Sequence, residues 1–143
     1  MSLDIIESAI PVVYSRLTGD ATVASFVGSR VFPVFAPTGT DMPLAVVQIS
    51  GVDRDQALSG PIGRPVVSVS VTLYATTYNE VSKLSRAVRR ALDGYAGTTA
   101  GATVQRTTMT SQSDGFEPPG DGETMPSAYT VSQGYDLRLV ETI

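Results

Sequence analysis

Hydrophobic and polar residues alternate strictly in the middle of the chain. From Val67 to Leu73 every second residue is valine or leucine, and the residues between them are serine or threonine. A period of two sends successive side chains to opposite faces of a strand, so this segment is predicted to be a half-buried β-strand. One face carries the apolar row toward a core, and the other face is rich in hydroxyl groups.

The spacing of apolar residues changes after Ala75 to steps of three and four, which is the spacing of one helical face. The residues on this face are Val81, Leu84, Val88, Ala91, Leu92 and Tyr95. Thr77 and Glu80 have the spacing of a capping box, and Gly94 stands where a left-handed cap ends a helix. The pattern predicts an amphipathic helix that packs one stripe against the sheet.

Four of the ten basic residues of the chain lie on this helix, namely Lys83, Arg86, Arg89 and Arg90. They fall between the apolar positions, so they are expected to point sideways or outward with their charges in water. Two interpretations remain: a solvated or partner-facing helix, and a site for phosphate or nucleic acid. The usual behaviour of charge runs favours the first.

The N-terminal part predicts another amphipathic helix. Its apolar positions from Leu3 to Leu17 lie on one helical face, and Gly19 follows as a stop. Pro11 interrupts this pattern, because a proline inside a helix costs ~3 kcal/mol. Either the helix bends at Pro11, or its first turn begins near Ser8, where proline is tolerated. Because the apolar stripe continues past Pro11, we expect the bend.

Two short elements are expected next. A helical turn over residues 20–27 has Asp20 as its first cap and Gly28 as its last. Residues 30–35 have the composition of a brief strand, and Pro33 confines that strand to a sheet edge or a strand end.

The remaining segments alternate between strands and loops. Leu44–Gly51 is apolar enough for a second strand, and the charged turn from Gly51 to Arg64 is a candidate hairpin tip. Residues 103–113 are polar and rich in threonine. Residues 114–127 contain four acids and three prolines, so a flexible acidic Pro/Gly loop is expected there.

The chain closes with a long alternating strand over Tyr129–Leu139, in which Gly134 is expected to mark a bulge. The predicted fold is therefore α+β, with a mostly antiparallel sheet of about five strands and two main helices packed on one face. The length of 143 residues fits a single domain spanning 1–143.

Charge and composition restrict the possible partners. The net charge is -4, which is the wrong sign for a domain that mainly grips nucleic-acid backbones. No apolar run approaches a membrane span, and the first residues carry acids where a secretory signal would carry bases. We therefore expect no membrane partner and a product that is soluble in the cytoplasm when it is made.

The sequence contains no histidine and no cysteine. Ser-His-Asp and Cys-His arrangements are therefore excluded, and the common zinc sites lose their preferred ligands. Carboxylate, lysine or hydroxyl chemistry remains. Lys83, the only lysine, stands among arginines rather than in an apolar stretch suited to Schiff-base chemistry. We therefore expect that the protein is not an enzyme.

Two acidic pairs are candidate metal sites. Asp53 and Asp55 would share one face of an extended segment and could hold Mg²⁺ for hydrolysis, but no third carboxylate is placed to complete that site. Asp121 and Glu123 fall short of the donor spacing of a calcium loop, which favours a solvated tip. The glycines of "SGPIGR" precede a strand, whereas a phosphate loop precedes a helix. We expect no cofactor and no metal.

Four ordered pieces carry a resemblance to a known family: Val27–Pro33, Met42–Ile49, Val69–Ala75, and the helix end Ala91–Gly94. In these pieces the sequence resembles the small tail-completion, or tail terminator, proteins of long-tailed bacteriophages and gene-transfer particles. The pieces do not continue from Tyr95 to Ala128.

This resemblance implies a structural virion protein of the tail or neck, assembled in the cytoplasm of a bacterial host. Such a protein forms a ring, typically a hexamer, on the head-proximal end of a tail tube. It ends tube polymerisation and offers a docking surface to the head-completion or connector protein, and DNA passes through the lumen without specific binding. A ring needs two complementary patches on each subunit. Our candidates for this pair are the bases Lys83, Arg86, Arg89 and Arg90 and the acids Asp53, Asp55, Asp121 and Glu123.

Two alternatives stay open. The chain could be another neck or head–tail joining protein with the same small α+β build, since a fold does not fix a function. It could also be a nucleic-acid-binding domain that uses the basic helix 80–92.

Overall fold

The computed structural model describes residues 8–34, 41–53, 56–57, 60–61, 66–99, 102–117 and 128–140. These residues form three helices, namely α1 (Ala9–Gly19), α2 (Ala21–Val27) and α3 (Tyr78–Leu92). They also form eight strands: β1 (Val31–Pro33), β2 (Leu44–Asp53), β3 (Gln56–Ala57), β4 (Gly60–Pro61), β5 (Val66–Ala75), β6 (Gly97–Thr99), β7 (Ala102–Glu117) and β8 (Ala128–Val140).

The fold is α+β, built on a six-stranded sheet of order β1-β2-β5-β8-β7-β6. Every pairing in this sheet is antiparallel except that of β1 with β2, which is parallel. The predicted sheet of about five antiparallel strands is therefore close, but the described chain adds β6 and one parallel pair. α2 is a third helix where only a turn was expected. β3 and β4 pair separately between β2 and β5, in the segment predicted as a hairpin tip.

One face of the sheet and the three helices enclose the core. The burial of β5 alternates residue by residue, as its sequence predicts. Val69, Val71 and Leu73 are fully buried, and they pack in one cluster with apolar residues of all three helices. The amphipathic pattern thus places helices on a single face and leaves the hydroxyl-bearing face of β5 half-exposed.

The predicted bend at Pro11 was wrong. α1 begins at Ala9 with Ser8 as its flanking residue, and the N–H of Val12 donates to the Ser8 carbonyl at 3.1 Å. Pro11 therefore lies in the first turn, where its missing N–H has no helical partner to lose. The alternative start near Ser8 is the correct one. Residues 1–7, which include Leu3, lie outside the described residues.

The caps of the other helices are confirmed. The carboxylate of Asp20 accepts from the N–H groups of Thr22 and Val23 at 3.0 and 3.1 Å, and so caps α2. The hydroxyl of Thr77 accepts from the N–H of Glu80 at 3.2 Å at the start of α3. Gly94, just past the end of α3, has φ 81°, which is the left-handed conformation that a glycine supplies.

The predicted bulge at Gly134 was also placed in the wrong strand. β8 is regular there, and the register shift lies in β7 between Met109 and Ser111. Gly134 lies opposite this shift, and a Cβ at that position would lie 2.7 Å from the Ser111 hydroxyl. The glycine leaves room for the hydroxyls of the bulged neighbour strand and does not form a bulge of its own.

The acidic loop is shorter at its start than predicted. β7 continues through Glu117, so residues 114–117 are strand, and residues 118–127 lie outside the described residues. The strand predicted over 30–35 ends at Pro33 on the edge of the sheet, as that proline indicated.

Arg30 joins two pieces of the fold that the sequence keeps apart. Its Nε donates to the Pro43 carbonyl at 3.0 Å, and its Nη2 donates to the Phe26 carbonyl at 3.1 Å. The side chain therefore connects the end of α2 with the start of β2. Arg30 and Pro43 belong to the pieces Val27–Pro33 and Met42–Ile49, so this contact joins two of the pieces that carry the resemblance.

Candidate functional site

The basic side chains of α3 lie where the helical pattern placed them. Lys83, Arg86 and Arg90 are exposed and Arg89 is half-buried, whereas the apolar stripe of the helix is buried. Arg89 and Arg90 occupy the last turn, where a positive charge interacts favourably with the helix dipole. The structure thus brings the four predicted bases onto one helix surface.

Three of these bases face a groove between α2 and α3. The groove has a volume of about 370 Å³ and is lined by Asp20, Thr22, Phe26, Lys83, Arg86, Ala87 and Arg90. Among the described residues, Asp20 is the only carboxylate in the lining, and it already accepts two backbone hydrogen bonds as the cap of α2. The groove therefore carries a net positive charge over an apolar floor of Phe26 and Ala87.

These bases have no partner within the subunit as far as it is described. No ion pair or side-chain hydrogen bond joins Lys83, Arg86 or Arg90 to another described residue. Arg16 and Arg30, by contrast, bind backbone carbonyls, and the Arg16 guanidinium also lies 4.2 Å from the Tyr95 ring centroid. The groove bases are thus available to an anionic partner.

The predicted acidic partners are not brought to this groove by the described structure. Asp53 ends β2 and is described by its backbone alone, in register with Val66. Asp55, Asp121 and Glu123 lie outside the described residues, so both the ring-contact hypothesis and the Mg²⁺ hypothesis for Asp53 and Asp55 stay predictions. Among the residues that the structure describes, no three acidic side chains come together as a metal site.

The opposite face of the sheet is a polar surface that no described helix covers. Hydroxyl groups line a shallow depression of about 350 Å³ there, together with Gly134 and Asp136. The Ser68 hydroxyl donates to Asp136 Oδ1 at 2.7 Å, and the hydroxyls of Thr72 and Ser132 lie 3.5 Å apart. This face offers hydrogen bonds with little charge.

Sequence reasoning missed a buried polar network in the core. Gln133 is 1% exposed, and its Nε2 donates to the Ser85 carbonyl and to Gln112 Oε1, both at 3.0 Å. The Tyr135 hydroxyl donates to Gln133 Oε1 at 2.7 Å. Burial raises the pKa of Tyr135 far above its usual range, with a smaller contribution from the charge of Asp93. The signal was present: a glutamine at 133 interrupts the apolar row that runs from Val131 to Leu139.

Sequence reasoning also missed an aromatic cluster at one end of the sheet. Tyr129 was assigned to the alternating strand, but it is partly exposed. Its ring centroid lies 5.0 Å from that of Phe116 and 6.2 Å from that of Tyr78. The Tyr78 hydroxyl donates to Asp114 Oδ2 at 3.0 Å, and this bond raises the pKa of Tyr78 because the carboxylate favours the protonated phenol. Phe116 lies in the segment predicted as a loop, so no sequence pattern placed it beside a strand.

The comparisons with known proteins agree with this fold. The family model described as tail completion protein gp17 matches residues 11–127. The chain belongs to the tail completion protein family. It is therefore a structural tail protein of a virion, which confirms the resemblance drawn from the four sequence pieces.

The family match extends further than those pieces did. It includes residues 95–127, which the sequence pieces excluded. That expectation was wrong because β7 exposes most of its side chains, so its polar residues could vary without loss of the strand. No curated protein sequence matches the chain.

A solved structure shares the whole fold. One chain of the structure entitled "Virion of native gene transfer agent (GTA) particle" superposes with a TM-score of 0.78 at 15% identity. The match covers 97% of this chain and 99% of that one. The described part of the tail completion protein also contains no helix that is long and apolar enough to cross a membrane.

Proposed function

We propose that this tail completion protein assembles as a ring, with six subunits, on the head-proximal end of a tail tube. There it ends tube polymerisation and offers the surface on which the head-completion or connector protein docks. DNA passes through the lumen of the ring without specific binding. The family match over residues 11–127 is the observation that carries this proposal.

Two features of the molecule support it. The fold corresponds over nearly its full length to a chain of a gene-transfer-agent virion, which is a particle of the kind the proposal requires. The chain also has a net charge of -4 and a hydroxyl-rich surface with little charge on its sheet. A negative net charge repels a nucleic-acid backbone, and a surface with little charge binds it weakly.

For the subunit contact, we propose that the groove bases of α3 meet acids of the neighbouring subunit. The bases Lys83, Arg86, Arg89 and Arg90 would face a set drawn from Asp53, Asp55, Asp121 and Glu123. The lack of partners for the exposed bases within the described subunit supports this contact. Exposed pairs contribute only about 0–1 kcal/mol each, so their main effect would be on orientation and association rate.

Charge reversal tests this contact. Arg86→Glu with Arg90→Glu should reduce the amount of ring recovered on tail tubes while changing the melting temperature little, because both side chains are exposed. Arg106→Glu, an exposed base on β7, is the matched control and should leave the ring intact. Equal losses in assembly and in melting temperature would assign the two arginines to the subunit's own stability.

A nucleic-acid site in the same groove is the alternative, and it is favoured by the lack of partners for these bases among the described residues. Binding through these bases would weaken steeply as salt concentration rises. If the protein binds no duplex or single-stranded DNA at low ionic strength, this alternative is excluded. If it binds DNA and forms no ring on tubes, the ring proposal is wrong.

A further inference from the structure

The main sheet ends on each side in a strand of three residues that covers only part of its longer neighbour. β1 pairs with residues 45–47 of β2, and β6 pairs with residues 102–104 of β7. No strand in the described chain pairs with the outer edge of β2 over residues 48–53 or of β7 over residues 110–117. Such an edge presents backbone N–H and C=O groups to any strand that can pair with it.

The part of β7 next to β6 is closed in another way. The N–H of Gly94 donates to the Thr107 carbonyl at 2.8 Å, and the N–H of Met109 donates to Asp93 Oδ1 at 3.0 Å. The open edge therefore begins at the bulge and continues to Glu117. Proteins commonly protect free edges with lysine or proline, but neither open edge contains lysine, arginine or proline.

Exposed apolar side chains accompany both open edges. Six large hydrophobic residues are exposed among those described, and five of them lie beside one of the two edges. Tyr78, Phe116 and Tyr129 form the aromatic cluster at the β7 edge. Val52 lies in the open part of β2, and the N–H of Val34 donates to the Val47 carbonyl just before it. Apolar residues gathered in this way mark contact surfaces.

We propose that the open edge of β7 in one subunit pairs antiparallel with the open edge of β2 in the next copy of this chain. The middle of the open β7 edge, near Ser113, lies opposite the middle of the open β2 edge, near Ser50, so the Glu117 end points toward Gln48 and the Thr110 end toward Asp53. β2 and β7 already run in opposite directions within a subunit, because three antiparallel pairings separate them. The neighbouring sheets therefore continue each other, and their helices remain on the same face.

This contact is heterologous, since one edge meets a different edge, and heterologous contacts generate rings when the rotation closes. The aromatic cluster of one subunit then meets the Gln48 end of the open part of β2 in the next subunit, where Ile49 lies on the helix-bearing face and the exposed Val34 lies nearby. The choice of a second copy as the occupant rests on the proposed ring.

The positions of the two edges also fit a closed ring. Following the register across the sheet, Ser113 in the open part of β7 is level with Val46, which lies in the covered part of β2. Joining the open parts therefore shifts each neighbour by about four residues, ~13 Å, across four strand spacings of ~19 Å. This shift tilts the strands by ~35° from the ring axis, which is within the range of closed barrels.

Cross-linking between introduced cysteines tests the pairing, because the chain has no cysteine of its own. Ser50→Cys and Ser113→Cys place exposed thiols on the two open edges. The variant is assembled on purified tail tubes, rings are counted by negative-stain microscopy, and a short bismaleimide linker is added. Denaturing gels should show a ladder of covalent multimers. Ser25→Cys with Ser113→Cys, whose first thiol lies on α2, is the control and should show none.

The outcomes separate this inference from the proposed function. Rings with a ladder support both. Rings without a ladder overturn the edge pairing but not the ring. Covalent dimers from Ser113→Cys alone also overturn the edge pairing, because they would mean that β7 pairs with β7 of the next subunit. The absence of rings together with the absence of a ladder overturns both.

A second variant tests the aromatic cluster. Phe116→Ser should lower the yield of the ladder several-fold, because it removes an apolar contact from the seam. Tyr14→Ser removes a similarly exposed aromatic residue of α1, which belongs to neither edge strand, and should leave the yield unchanged. Equal losses from the two substitutions would contradict the role of the cluster.

Discussion

The buried network around Gln133 makes a quantitative prediction about the stability of the subunit. Gln133 and Tyr135 are each 1% exposed, and a hydrogen bond of 2.7 Å joins the tyrosine hydroxyl to the glutamine carbonyl oxygen. Gln133→Leu nearly conserves volume but leaves the Tyr135 hydroxyl buried without this acceptor. An unsatisfied buried polar group costs about 1–3 kcal/mol, so the free energy of unfolding should fall by that amount.

The other substitutions complete a double-mutant cycle. Tyr135→Phe leaves the Gln133 carbonyl oxygen without its donor and should cost about 1–2 kcal/mol. The double variant removes both polar partners, so no orphan of this pair remains, and its loss should be smaller than the sum of the single losses. We expect a coupling energy of about 1 kcal/mol or more, within the range measured for contacting residues.

Urea denaturation followed by far-UV circular dichroism measures these free energies. A loss of 1 kcal/mol corresponds to a fall in melting temperature of about 3–5 °C for a chain of this size, so thermal melts give an independent check. Additive losses from the two single substitutions would refute the reasoning, because the network would then not act as a unit.

Three further predictions concern the subunit. Burial raises the pKa of Tyr135 above its usual value of about 10, so the folded state disfavours the phenolate. The free energy of unfolding should therefore be constant just below pH ~10 and fall above it. In a series of denaturation curves at alkaline pH, Tyr135→Phe should make this fall smaller. Arg30→Lys can keep only one of the two carbonyl contacts and should cost about 1–2 kcal/mol in urea denaturation; an unchanged midpoint would show that the link between α2 and β2 is not stabilising. Leu84→Ala empties a fully buried position of α3 and should cost about 2–4 kcal/mol, whereas Lys83→Ala beside it should cost less than 0.5 kcal/mol in the same assay.

The elements with a regular pattern could be predicted from the sequence. β5 and α3 follow their periods of two and of three to four, and their ends carry local signals in Thr77 and Gly94. The four bases of α3 were also placed correctly, because the period of a helix decides which side chains avoid the core. For these features the local sequence and the tertiary fold agree.

The features that failed depend on contacts distant in sequence. β6 has three residues, Gly97–Thr99, and exists because β7 pairs with it. The bulge lies in β7, whereas Gly134 lies opposite it in β8. The position of the glycine in the sequence therefore did not identify the strand that carries the bulge. Most of β7 is exposed and polar, so hydrophobic alternation could not reveal that strand.

The open edges could not be predicted at all. Whether a strand edge is free depends on the strand order and on the lengths of the neighbouring strands. The hydrophobic periodicity of a single segment determines neither of these. Phe116 illustrates this: it stood in a segment that read as loop, yet it lies beside Tyr129 at the end of the sheet.

The most direct test of the account is to image purified tail tubes after incubation with the protein and fresh tube subunits. We expect a ring on the head-proximal end of each tube, no protein along its length, and tubes that stop growing at that end. Tubes that keep growing with bare ends, or that carry the protein along their sides, would contradict the proposed role in ending tube assembly.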